Sequence, residues 1–159
     1  MKQSAFTLIE LMIAVAIIAF LATLSVPQFF SYQAKAKQAE VAIMLASLHT
    51  AMQAYYTEHG TYTNVLNGEH GIGWKPEGYK GGGAQEKFNY TYGFYFSGAQ
   101  EGVHYFTGKL NTPAQQLSGA QADQHNFIIK AAGTLKNEKN DIWSINDEKN
   151  LRHEQDGLA

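Results

Sequence analysis

From Leu11 to Ala34 no side chain carries a charge, and between Leu11 and Phe30 only Thr23, Ser25, Pro27 and Gln28 interrupt aliphatic, aromatic and small residues. As a helix, residues 11–30 span roughly 30 Å, the thickness of a bilayer's hydrocarbon core. Such a segment has three possible fates: a secretory signal peptide, a plain membrane anchor, or an apolar helix that finally packs against something other than lipid.

Glu10 separates these fates. It follows Phe6, Leu8 and Ile9 and precedes Leu11, Met12 and Ile13, so insertion brings its carboxylate into or beside the apolar slab. An unpaired acid at the centre of a membrane helix costs about 2.5–3.5 kcal/mol, and less near an interface. A secretory signal prefers a basic start and an uninterrupted apolar run. Here Lys2 is the only cation before Lys35. Small residues such as Ala19 and Ala22 suit a signal peptidase, but that reading leaves Glu10 unexplained.

Met1-Lys2-Gln3-Ser4-Ala5 followed by Phe6-Thr7-Leu8-Ile9-Glu10-Leu11-Met12 resembles the class III signal of type IV pilins and pseudopilins. The likeness covers about the first 30 residues and includes Pro27. It implies cleavage between Ala5 and Phe6 by a prepilin peptidase in the inner membrane, then methylation of the new Phe6 amine to N-methylphenylalanine. The chain departs from the family in having Ala5 where glycine usually precedes the cut.

Cleavage creates an ammonium at Phe6. In a staggered bundle of parallel helices, the Glu10 carboxylate of one subunit then lies beside the Phe6 amine of a neighbour, each charge offsetting the other's desolvation. A slipped register strands a buried carboxylate, and a repeated head-to-tail contact that does not close becomes a helical filament. Pro27 lacks an amide hydrogen and crowds the carbonyl of Thr23, so the helix bends or opens there. The resemblance implies a segment that loosens on assembly; a simple kink is the other reading.

Beyond Ser31 the sequence stays helix-forming, with no glycine before Gly60 and no proline after Pro27 in that span. Val41, Leu45, Leu48, Met52 and Tyr55 recur at alternating spacings of four and three, an apolar stripe that needs a sheet to cover it. Gly60 supplies a stop. A helix over residues 6–59 runs on the order of 80 Å, too long for a domain of this size to bury. Its first half therefore projects, into a membrane before assembly and among sister helices afterwards.

All 15 glycines lie at or after Gly60. Residues 61–88 read as a long surface connection; Gly71-Ile72-Gly73 and Gly81-Gly82-Gly83 lack the spacing and strand–helix setting of phosphate loops. Four strand-like runs follow, Asn89–Ser97, Gly102–Leu110, Asn126–Ala132 and Asp141–Asn146. Tyr90, Tyr92, Phe94 and Phe96 alternate along the first, and Phe127, Ile129 and Ala131 share a face of the third. The expected fold class is α+β: a long amino-terminal helix packed on an antiparallel sheet of about four strands. The dense aromatics suit strands and core, and also a stacking surface for a sugar, nucleic acid or host surface.

The formal charge of −2 and dispersed cations exclude a protein built mainly to grip nucleic acid, and the absence of cysteine excludes disulfides and thiolate chemistry. Packing by Trp143 and Ile145 must close the tail, where the resemblance implies a disulfide in other pilins. His49, His59, His70, His104, His125 and His153 form no catalytic or metal spacing. Asn137, Asn140, Asp141, Asn146, Asp147 and Glu148 offer hard oxygens without a known calcium-loop spacing, which favours solvated turns. Met44 and Met52 suit core packing. Asn89-Tyr90-Thr91 fits a glycosylation pattern within an expected strand.

The expected organisation is a leader at residues 1–5, a transmembrane and polymerisation helix at 6–30, an amphipathic half at 31–60, a loop at 61–88, and a sheet with its tail at 89–159. The expected function is a non-enzymatic structural subunit of a type IV pilus, without cofactor or metal, serving motility, adhesion or DNA uptake. It passes from the inner membrane as a prepilin to a surface filament of many copies. The resemblance implies as partners the peptidase, the inner-membrane assembly machinery and minor pilins. The other readings are a type II secretion pseudopilin and an exported or membrane-anchored binding module.

Overall fold

The computed structural model describes residues 6–135 and 139–158. One helix, α1 (Leu8–His59), precedes six short strands: β1 (Thr91–Gly93), β2 (Tyr105–Phe106), β3 (Gln121–Ala122), β4 (Phe127–Thr134), β5 (Asn140–Asn146) and β6 (Leu151–Gln155). The strands form one antiparallel sheet in the order β2-β1-β4-β5-β6, with β3 pairing to β4 beside β1. This is the expected α+β arrangement. Residues up to Ala36 and residues from Lys37 onward form two separate compact units.

The first unit is apolar helix. Residues 6–33 are exposed throughout, and by length and composition the segment suffices to cross a membrane. Helix α1 is unbroken at Pro27. Four residues before the ring, the Thr23 hydroxyl donates to the Phe20 carbonyl at 2.7 Å.

In the second unit, α1 ends where Gly60 adopts φ 70° and its N–H donates to the Tyr56 carbonyl at 2.8 Å. That left-handed conformation suits glycine after a helix. Val41, Leu45, Leu48 and Met52 are buried in one core with Tyr90, Tyr92, Phe94, Phe106, Phe127 and Ile129. Each such aliphatic side chain contributes about 1.5–3 kcal/mol when buried. Tyr55 does not continue the stripe: it is half-exposed and stacks on His59 with centroids 4.0 Å apart. Tyr56 packs against the core instead and stacks on Tyr62 at 4.5 Å. A 3.6-residue turn drifts from a strict alternation of four and three, so the core-facing position moves one residue along.

The sheet differs from the expected four strands. Over Asn89–Ser97 the expected alternation holds only in part: Tyr90, Tyr92 and Phe94 are fully buried, but the intervening Thr91 and Gly93 are buried too, Phe96 is exposed, and only Thr91–Gly93 pair as a strand. In the second run only Tyr105–Phe106 pair, with Tyr92 opposite Phe106. The additional strands are β3 and the outer strand β6. Nor is the 61–88 connection merely superficial: Tyr62, Leu66, Trp74 and Phe88 enter the core, and Trp74 Nε1 donates to Ser47 Oγ on α1 at 3.0 Å. With β1 and β2 so short, this connection supplies part of the helix's cover.

Candidate functional site

Thr7-Leu8-Ile9-Glu10 has the Thr-x-x-Glu spacing of a helix-capping box, and its side chains close in that way. Glu10 Oε2 accepts from the Thr7 backbone N–H and from the Thr7 hydroxyl, both at 2.8 Å, while the Glu10 N–H donates to Thr7 Oγ1 at 3.3 Å. The carboxylate therefore sits at the positive end of its own helix. Its second oxygen, Oε1, receives no hydrogen bond from the described residues. Phe6 is 81% exposed beside it. Ala5, the other side of the expected cut, lies outside the described residues. The Thr-x-x-Glu spacing alone is the sequence signal for this capping role.

A buried polar junction stabilises the second unit. Asp141, fully buried at the start of β5, accepts from five residues: Gln38 Nε2 and the Gly157 N–H at 2.9 Å, His153 Nε2 at 2.8 Å, Trp143 Nε1 at 2.7 Å and the Tyr90 hydroxyl at 2.6 Å. His153 stacks on Trp143 with centroids 3.8 Å apart. A second carboxylate, Glu40 on α1, accepts from the Tyr92 hydroxyl at 3.1 Å and from the Asn89 backbone and side-chain amides at 2.8 and 2.6 Å. Burial, then the nearby carboxylates, push the Tyr90 and Tyr92 hydroxyls far above the ordinary tyrosine range, keeping them protonated donors.

The oxygen-bearing residues weighed as a calcium site do not converge. Asn140 and Asn146 stand at opposite ends of β5, about 20 Å apart at strand rise, and Asn137 lies outside the described residues. Asn140 Oδ1 accepts from Thr134, Asn146 Oδ1 from the Asn150 N–H, and Glu148 from the Asn150 side chain. The Asp147 carbonyl accepts from His49 and Gln53. Asp141, His153 and Asp156 bring ligand-type atoms within 4.8 Å of one another, but the Asp141 oxygens already receive the five donors, and a cation there would have to displace them. Among the histidines, His49 is buried and His153 is part of the junction; neither spacing nor composition announced these roles. The Asn89 amide is engaged by Glu40 and Thr91 is fully buried with its hydroxyl on the Thr112 carbonyl, so the folded chain does not offer this sequon as an acceptor.

Residues 1–26 match the family model described as the prokaryotic N-terminal methylation motif. The chain is 42% identical over 76 residues to the type IV major pilin protein PilA of Myxococcus xanthus, covering 48% of this chain and 33% of that protein. It is 35% identical over 79 residues to the type IV major pilin protein PilE1 of Neisseria gonorrhoeae, covering 50% and 47%. It is 42% identical over 71 residues to the type IV pilus subunit protein TapA of Aeromonas hydrophila, covering 45% and 50%. The chain thus spans between a third and a half of the length of these curated relatives.

Proposed function

We infer the role of this chain from its membership of the type IV pilin family: it is a subunit made as a membrane-anchored prepilin, cut between Ala5 and Phe6, methylated on the Phe6 amine and polymerised through residues 6–30 into a surface pilus. The observation carrying this reading is the wholly exposed apolar helix of residues 8–33 headed by the Thr7–Glu10 pair. Sixteen or more exposed apolar side chains cannot remain in water. Lipid covers them before assembly, and the helices of sister subunits cover them afterwards.

Glu10 gives the contact its register. Oε2 is held by Thr7, while Oε1, which accepts no hydrogen bond from the described residues, is the oxygen that takes a neighbour's Phe6 ammonium. A neighbour shifted along the axis leaves that charge unpaired among apolar side chains, which costs several kcal/mol. Pro27 is the place where the helix has one backbone hydrogen bond fewer and gives way when the filament forms or extends. The prepilin peptidase, the inner-membrane assembly machinery and minor pilins are the partners this route requires.

Mass spectrometry of filaments sheared from the cell surface tests the reading. The expected chain starts at Phe6 with one added methyl group. Absence from sheared material, together with a soluble form starting beyond Ala19, would make the chain an exported binding module instead.

A further inference from the structure

A hollow of about 380 Å³ opens in the second unit between the Gly81–Gly83 loop, Tyr95, Tyr105 and the segment from Asn111 to Gln115. We propose that it is a binding site for a sugar ring. This goes beyond filament assembly and involves none of the residues assigned to it.

The hollow is built rather than left over. Beneath the loop, Glu86 is 4% exposed and its Oε1 accepts from the Lys80 and Gly82 N–H groups at 2.8 and 2.9 Å. The Gly83 N–H donates to the Thr107 carbonyl at 3.0 Å. Gly81, Gly82 and Gly83 take φ of 108°, 91° and 88°, where side chains are disfavoured. At Gly82 the missing Cβ has a specific use: one placed there would collide with the Glu101 carboxylate. Glu101 therefore lies across the bare loop, its Oε1 accepting from the Thr107 N–H at 3.1 Å. Asn111, on the far wall, is held at φ 52°. Strained backbone of this kind is retained where surrounding structure fixes it, often at ligand clamps.

The chemistry of the lining selects the ligand. It offers one carboxylate, the amides of Asn111 and Gln115, the Thr107 hydroxyl and two tyrosines, with no lysine, arginine or histidine among the described lining residues. An anion finds no counter-charge and meets Glu101. A flat apolar ligand leaves these polar groups unpaired. A sugar ring satisfies both demands: its vicinal hydroxyls donate to carboxylate and amide oxygens, and its C–H face packs on a tyrosine ring. Burial, with Glu101 and Tyr95 close by, raises the Tyr105 hydroxyl and keeps it a donor. The volume sits near the lower end of small-molecule sites, about 300–1,000 Å³. Because the elements are already positioned, little ordering opposes binding.

The test is saturation-transfer NMR on the full chain in detergent micelles, titrated separately with glucose, galactose and N-acetylglucosamine, with choline and sulfate as comparison probes. Filaments are not needed, so failure here is distinct from failure of the assembly reading. At least one sugar should bind saturably, weakened about tenfold or more in Glu101→Gln, the loss expected for one charge-assisted hydrogen bond. Gly82→Ala should weaken it comparably by displacing Glu101. Circular dichroism establishes that each variant is folded; Glu101→Gln keeps the side-chain shape and decides the matter if Gly82→Ala does not fold. No saturable sugar binding, or binding indifferent to Glu101→Gln, overturns the proposal. So does binding of choline or sulfate without any of the three sugars.

Discussion

The Tyr90 hydroxyl donates to Asp141 Oδ2 across 2.6 Å, joining the residue just before β1 to the second residue of β5 inside the core. Neighbouring Tyr92 makes the equivalent reach to Glu40 on α1. Two tyrosines from one face of one segment thus engage two carboxylates, the fully buried Asp141 and the half-buried Glu40.

Removing Asp141 strands five donors at once. Asp141→Ala is expected to lower the unfolding free energy by about 3–5 kcal/mol. Tyr90→Phe should cost about 1.5–3 kcal/mol, since one charge-assisted bond is lost while the ring still packs. Urea denaturation of the full chain in detergent, followed by tryptophan fluorescence, measures both. Equal stability of Asp141→Ala and the parent would deny the junction its role.

Acid should loosen the second unit. Burial alone raises the Asp141 carboxyl, but the hydrogen bonds from Tyr90, Gly157, His153 and Trp143 outweigh it and hold the group below the usual aspartate range. The resulting stabilisation is fully present above the unfolded value near ~3.9 and is lost as pH falls through the folded one. Glu154, raised by burial and lowered more by Lys130 at 2.8 Å, acts in the same direction. Thermal midpoints should fall below about pH 4, and the Asp141→Asn variant should show a shallower fall.

Tyr79 should ionise late. Burial, then the charges of Glu101 and Glu86, push its hydroxyl up to about 12. Ultraviolet absorbance titration should lose one late step in Tyr79→Phe, and Glu101→Gln should bring that step to lower pH. A Tyr79 step at the ordinary tyrosine value would contradict this placement.

Gly133 lies on β4 against an aromatic face. A Cβ there would stand 2.5 Å from Tyr90 Cε1 and 2.7 Å from Cδ1. Gly133→Ala must displace the ring that reaches Asp141, costing about 1–3 kcal/mol. An unchanged melting temperature would mean that the ring yields freely.

At the other end of the chain, Glu10→Ala should abolish surface filaments, or sharply reduce their number, while the chain still accumulates in the membrane. Thr7→Ala removes only the cap, worth about 0.5–2 kcal/mol, and should leave filaments in reduced number. Electron microscopy with membrane fractionation distinguishes them; normal filaments in Glu10→Ala would remove the register role.

Helix α1 and its Gly60 stop were legible because both signals are local: an unbroken apolar run, and a glycine after the last turn. Strand β4 was legible because burial on one face leaves an alternating trace. Strand β6, Leu151-Arg152-His153-Glu154-Gln155, leaves none, since all five residues are exposed and an outer strand needs no apolar alternation. Asp141 reads as a solvated turn because nothing nearby in the sequence indicates burial. Its donors come from positions 38, 90, 143, 153 and 157. Alternation over Asn89–Ser97 marks Tyr90, Tyr92 and Phe94 as inward but misses the burial of Thr91 and the exposure of Phe96, and ladder length depends on what lies alongside, where loops from elsewhere in the chain take the place of strands.

Closure of the tail by Asp141 has a consequence for maturation. The Gly157 N–H and His153 converge on the same carboxylate oxygen as Gln38 of α1, and the chain contains no cysteine. Reaching the native state therefore requires no oxidant, no thiol-exchange catalyst and no particular redox poise. The same closed form is available under anaerobic and aerated growth, and thiol reductants leave it untouched.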